Sequence, residues 1–355
     1  MISFNRTRTS PIGLHLGMQT ATLVQLTGGN DRLEMHAMAQ GEFLCDENAS
    51  SDEQDRETAS ALRKLISDHH FRGRNVVSCL GAQQLFVQNV RLPKLPPEEV
   101  EKVVRWEAEE RLPYPIADAE IRHLTAGEIR QDANVKQEVI LLACHQGVVQ
   151  RHIGLLEMAG LVPMAIDVEP CAVLRCLLNT VTHQGAEGRR AYLHIGERAT
   201  AVIIAEHRQV LFLKYIASGG HHFDMAVARH LELPLRDALK MRAVVTAAPA
   251  LDAQDEIHRS IAEAIRGPLE AISSEIELCL RYYKVTFRGQ PLDKIVLAGA
   301  EASPWLAEYL NERLAIPCEM ANPFQSLAQP PGSAAALERP GRWVTALGLS
   351  MKQAS

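Results

Sequence analysis

The feature that most constrains this chain is a motif it uses twice. Residues Ile12–Leu26 read as a strand (IGLHL), a Gly-containing turn (GMQT) and a second strand (ATLVQL), with apolar side chains alternating at a period of two. From Tyr192 to Ala205 the chain repeats the design as YLHIGERATAVIIA. LHLGMQTATLV and LHIGERATAVI keep a His, an apolar residue, a Gly and a small Thr/Ala run in step, with His194 following His15 by 179 residues. Each hairpin opens one half of a 355-residue chain, longer than a single core usually serves. The expectation is a duplicated, two-lobed α/β protein. Gly17 and Gly196 mark the turns where a backbone could approach a ligand closely or take a positive φ.

Composition removes several function classes. A hydrophobic content of 46% with 23% charged residues is that of an ordinary globular protein. A net charge of −6 and the lack of any basic run argue against a nucleic-acid surface. The seven cysteines are scattered without a CxxC pair, which reads as small buried residues in a reducing compartment. The opening MISFNRTRTSP has no apolar core of an export signal, and no apolar run approaches the ~18 residues of a spanning helix. These features predict a cytoplasmic chain that reaches a membrane only through a partner.

In order, the pattern predicts a strand over Arg32–Phe43, then an acidic loop (Asp46, Glu47, Asp52, Glu53, Asp55, Glu57) and a helix over Thr58–His70. A buried strand follows at Asn75–Leu80. Residues 85–167 read as one compact unit of strand, helix, strand, strand, helix and strand, its first helix opened by Pro96-Pro97-Glu98-Glu99. Glu169–Thr182 is a helix and Gly185–Arg190 a linker. After the second hairpin come a strand (Val210–Ile216), the turn Ser218-Gly219-Gly220 and helices over His222–Leu231 and Leu235–Val245. A long helix over Ile257–Tyr283 should be broken or kinked at Gly267-Pro268. The chain closes with a strand (Ile295–Ala298), a helix (Pro304–Leu314), a short strand (Pro317–Met320), a linker (Gln329–Gly341) and a short helix (Trp343–Met351).

The paired hairpins resemble those of the actin-like ATPase superfamily, and two further stretches narrow the resemblance to its PilM-like branch. These are LPPEEVEKVVRWEAEERLPYPI and LLACHQGVVQRHIGLLEMAGLVPMAIDVEP, with ANPF (Ala321–Phe324) again similar later on. The resemblance covers nearly the whole chain. It implies a two-lobed actin-like (ribonuclease-H-like) fold with an inserted SHS2-type α+β subdomain of the kind also found in the division protein FtsA. The implied divisions are a first lobe over 1–84, the insertion over 85–167, an interlobe helix over 168–184, a second lobe over 191–335 and a C-terminal helix over 341–355 returning to the first lobe. It further implies type IV pilus assembly, with the insertion helping to bind the cytoplasmic tail of a PilN-like inner-membrane protein. Arg105, Trp106 and Tyr114 are the candidate partner-binding residues there, since aromatics anchor interfaces. Their plainer reading is a core Trp and arginines paired with glutamates of their own helix.

The same resemblance implies where ATP and Mg²⁺ would sit. Gly17, Gln19, Thr20, Gly196, Thr200, Gly219, Gly220, Gly299 and Glu169 match the nucleotide-binding pattern. Hydrated Mg²⁺ in such a cleft needs carboxylate oxygens at the end of each hairpin's first strand. The family has Asp or Glu there, and this chain has His15 and His194. Thr22 stands where Lys is frequent, Met18 where Ser or Ala is usual, Ala298-Gly299-Ala300-Glu301 where a Gly pair is usual, and Glu277 on a helix that is often Arg-rich. The reading is therefore a non-catalytic scaffold with no cofactor. An active Mg·ATP-binding ATPase and an FtsA-like division protein are the alternatives, the latter disfavoured by the short polar tail SMKQAS. His15, His194, His221 and His222 would share the cleft, but no pair has a metal-binding helical spacing, so no metal site is assigned.

Overall fold

The computed structural model describes residues 9–29, 32–43, 50–131, 134–180, 188–248, 251–252, 254–287, 290–325, 327–328 and 338–352. Its two largest sheets are copies of one design. In the first, β1 (Ile12–Leu16) pairs antiparallel with β2 (Thr20–Gly29), which pairs with β3 (Arg32–Glu42). On its other side β1 runs parallel to β4 (Asn75–Leu80), and β4 to β8 (Val162–Val168). In the second, β9 (Arg189–Ile195) lies between β10 (Thr200–Glu206) and β12 (Lys294–Ala298). The edges of that sheet are β11 (Gln209–Ile216) and β13 (Cys318–Met320). The orders β3-β2-β1-β4-β8 and β11-β10-β9-β12-β13 correspond strand for strand.

The period-two pattern explains why each sheet sits between two cores. In the first lobe Ile12, Leu14, Leu23 and Val76 pack against α1 (Ser51–Asp68) through Leu62 and Ile66. In the second, Leu193, Ile195, Val202 and Leu297 meet α7 (Glu256–Thr286) through Ile265, Ile272 and Ile276. Residues on the other faces, among them Val24, Leu26, Tyr192, Ile203 and Leu213, join one shared core with Val173 and Leu177 of α4 (Glu169–Thr180). That core also takes in Val344 and Leu347 of the last helix, α9 (Val344–Ser350). The other helices are α2 (Pro97–Glu109), α3 (Gln146–Met158), α5 (Gly220–His230), α6 (Leu235–Ala247) and α8 (Pro304–Leu314).

Three expectations change. Of the acidic stretch, Asp46 and Glu47 lie outside the described residues, and the rest belongs to α1, which begins at Ser51 instead of Thr58. Ser50 and Glu53 form a reciprocal capping box, and acids in a first turn favour the helix dipole, so these charges start a helix. The helix α7 runs unbroken through Pro268, with Ile261, Ile265, Leu269 and Ile272 buried on both sides of it. Finally, 85–167 is not one packing unit. β5 (Phe86–Pro93), β6 (Ala119–Gln131) and β7 (Asn134–His145) form a sheet of order β5-β7-β6, whose core with α2 includes Leu92, Val100, Val104 and Leu141. The apolar residues of α3 and β8 go elsewhere: Leu155 and Leu156 enter the core under β1, and β8 completes the first lobe's sheet. Of the expected linkers, residues 185–187 and 329–337 lie outside the described residues, and Arg189 and Arg190 already belong to β9.

Candidate functional site

His15 and His194 stand one residue before the ends of the duplicated strands β1 and β9, and both imidazoles converge on Glu169, the first residue of α4. His15 Nε2 and His194 Nδ1 each lie 3.4 Å from the same oxygen, Glu169 Oε1. The other carboxylate oxygen accepts a hydrogen bond of 3.2 Å from the Tyr215 hydroxyl of β11. His194 Nε2 stands 3.2 Å from the Thr345 hydroxyl of α9. Thus both lobes and the helix between them meet on one carboxylate, and the C-terminal helix joins the cluster through His194. Thr22 is buried on β2, paired opposite His15.

Electrostatics follow from burial. Burial alone would raise the pKa of the Glu169 carboxyl, but the two imidazoles and the Tyr215 hydroxyl outweigh it and hold it at about 2. Burial pushes the His194 imidazole down, against the attraction of Glu169 and with a smaller push from His15. Burial thus favours the neutral imidazole of His194, with Nδ1 turned toward Glu169 and Nε2 toward the Thr345 hydroxyl. Burial and the Glu169 charge push the Tyr215 hydroxyl well above its usual range, so it remains a donor.

Beside this cluster the two hairpin turns face one another. Both close alike, Gly17 N–H donating to Thr20 O at 2.8 Å and Gly196 N–H to Ala199 O at 3.0 Å. Gln19 is tied to β3 by its carbonyl, which accepts from Phe43 N–H at 2.9 Å. Across the gap Met18 N–H donates to Glu197 Oε2 at 3.1 Å. The second turn is held from behind by α5: Gly220 N–H donates to Gly196 O at 3.0 Å and His221 N–H to Glu197 O at 2.7 Å. A Cβ on Gly219 would run into Gly196 O, so glycine is required there by close approach. The Thr200 hydroxyl, fully buried, donates to Ser218 O at 2.8 Å. His222 Nδ1 accepts from Gly219 N–H at 3.2 Å and so caps α5.

Gly299, with φ of 100°, packs on the backbone of Ile195 and donates to Gly341 O at 3.1 Å. The next charged residue, Glu301, lies against Gly220 and accepts from Arg242 of α6 at 2.6 and 3.1 Å. Arg242 also donates to Asp224 of α5 at 2.6 Å. Burial would raise the Glu301 pKa, but Arg242, with Arg339 and Arg342 nearby, holds it below the usual range. The Glu301 charge is therefore paired with Arg242. Glu277 pairs within the second lobe with Arg313 of α8 at 3.2 Å.

The donor set does not fit hydrated Mg²⁺. The strand-end positions carry imidazoles turned onto Glu169, and that carboxylate is engaged at both oxygens. The structure thus brings together His15, Gly17, Gln19, Thr20, Glu169, His194, Gly196, Thr200, Gly219, Gly220, Gly299 and Glu301. It adds Glu197, Tyr215, Arg242 and Thr345, which the motif reading missed. Glu197 was legible in principle, being the partner of Met18 when the two hairpins are laid in register. Tyr215, Arg242 and Thr345 come from distant segments without a local pattern.

On the inserted unit, Trp106 is 58% exposed on α2, the Arg105 guanidinium reaches Ile116 O at 3.4 Å, and the Tyr114 ring meets the His145 ring edge-on at 5.3 Å. Trp106 is not a core side chain.

Two matched sheets, each opened by a hairpin, with both turns facing one cleft, define the actin-like fold. The chain belongs to the type IV pilus assembly protein PilM family, whose profile matches residues 13–354. A solved PilM–PilN type IV pilus biogenesis complex contains a chain similar to this one at 24% identity and a TM-score of 0.79, over 96% of this chain and 98% of that one. The ethanolamine utilization protein EutJ from Carboxydothermus hydrogenoformans is similar at 13% identity and a TM-score of 0.56, over 99% of this chain and 92% of that one. Among the described residues no helix is long and apolar enough to cross a membrane.

Proposed function

We propose that this chain is a nucleotide-independent scaffold of a type IV pilus inner-membrane platform, binding the cytoplasmic tail of a PilN-like membrane protein. Membership of the PilM family supports the setting, and the similar chain solved in a PilM–PilN complex supports the partner. The observation that carries the loss of ATP hydrolysis is the convergence of His15 and His194 on Glu169 at 3.4 Å each. Where a hydrated cation needs two carboxylates, the chain places two imidazoles of its own against Glu169. Capturing a peptide in a groove or on a sheet edge needs no such cation. The exposed Trp106 with Arg105 and Tyr114 supplies an aromatic and cationic surface on the inserted unit. On this reading the protein works at the inner face of the cytoplasmic membrane, held there by its partner.

Calorimetric titration of the full chain with a synthetic peptide copying that tail tests the reading. Binding should occur without nucleotide and weaken by about tenfold to a hundredfold in Trp106→Ala, with folding unchanged. Binding that requires Mg·ATP would overturn it.

A further inference from the structure

We infer that Glu197 is a built-in anionic ligand of the first hairpin turn, latching the two lobes together without an added oxyanion. The inference rests on the nucleotide-independent reading above and supplies what holds the cleft shut. Its first support is position. Glu197 and Met18 are equivalent residues of the two hairpins, 179 positions apart, and they bond to each other directly. One copy contributes a backbone donor, the other a side-chain acceptor.

The second support is the environment of the donor. The first turn is closed by Gly17 N–H on Thr20 O, and the Met18 N–H is bonded across the gap to Glu197. Glu197 Oε2 accepts that N–H at 3.1 Å and lies 3.3 Å from where a Cβ on Gly17 would stand. A turn whose backbone N–H is not spent within the turn is a seat for an anionic oxygen. Here the oxygen comes from the chain itself.

The third support is that the acceptor is braced. The carbonyls of Gly196 and Glu197 are bonded by the first two N–H groups of α5, Gly220 and His221. The far side of Gly220 is packed by Glu301, itself clamped by Arg242. The order of contacts is thus first turn, Glu197, second turn, start of α5, Glu301 and Arg242. A charged acceptor bonded to a backbone N–H is stronger than a neutral one, and a braced acceptor loses less freedom on forming the bond.

Hydrogen exchange on the full chain, read by mass spectrometry over peptides spanning 12–22, 75–80, 190–204 and 294–298, tests the latch. In the wild type the Met18 amide should be protected, and millimolar pyrophosphate should not change it. Glu197→Ala should exchange at Met18 at least tenfold faster, with β4 and β12 unaltered, and pyrophosphate should restore protection. Glu197→Gln, which keeps the shape with a neutral acceptor, should fall between them at about threefold and serves if the alanine variant does not fold. Unchanged Met18 exchange in both variants overturns the latch, as does added protection of the wild type by pyrophosphate. Titration of the wild type with the partner-tail peptide is independent: if the tail fails to bind while the exchange results hold, the scaffold reading falls and the latch stands.

Discussion

The two hairpin turns share a sequence design, a closing hydrogen bond and a place in matched sheets, yet they are used differently. His15 keeps a side-chain exposure of 24%, whereas His194, its equivalent, is at 4% and reaches the C-terminal helix through Thr345. Met18 offers only its backbone N–H, whereas Glu197 offers a carboxylate to accept it. Duplication gives two copies of a turn suited to hold anions. Divergence at one position in the turn lets one copy fill the other. The difference teaches that a symmetric cleft can be closed by making its halves complementary instead of alike.

The largest effect should come from breaking that asymmetry at the histidines. His194→Ala removes a buried partner of Glu169 and should cost about 3 kcal/mol in urea unfolding, because a buried carboxylate loses a polar neighbour. His15→Ala removes the more exposed partner and should cost about 1 kcal/mol or less. Equal costs would mean that the two repeats are interchangeable.

Acid unfolding sharpens the same contrast. The Glu169 carboxyl is depressed to about 2 in the folded chain, against an ordinary value near 4.5. A depressed carboxylate contributes stability that is present above its unfolded pKa and lost as pH falls through the folded one. Stability should therefore drop between about pH 4.5 and 2, and Glu169→Gln should remove part of that dependence. Glu301, also depressed, should add a second contribution over the acid limb, removable with Glu301→Gln. Acid titration of stability by circular dichroism on the single and double variants checks both.

Smaller effects should separate the two threonines beside the turns. Thr200 is fully buried and donates to Ser218 O, so Thr200→Val should cost about 1–2 kcal/mol by orphaning that carbonyl. Thr20 opens β2 and is half-buried, and Thr20→Val should change stability by about 0.5 kcal/mol or less.

Much of the fold was legible because it is periodic or duplicated. The alternation in IGLHL and YLHI marks the central strands, and ANPF and the inserted-unit stretches mark the family. The limits of the reading have physical causes. The strand at Val162–Val168 was placed with the insertion because a strand's sheet is fixed by long-range pairing, here to Asn75–Leu80. Pro268 was expected to interrupt a helix whose buried stripe continues on both sides. At the site the histidines and glycines announced themselves by repetition. Arg242 did not, since nothing local links it to Glu301, 59 residues later.

The central claim is that the cleft is satisfied by the chain's own groups. Thermal unfolding of the full chain with and without millimolar Mg·ATP tests it most directly, since a ligand that binds only the folded state raises the midpoint by mass action. The account predicts no change in Tm across the titration. A Tm that climbs with the logarithm of Mg·ATP concentration would contradict it.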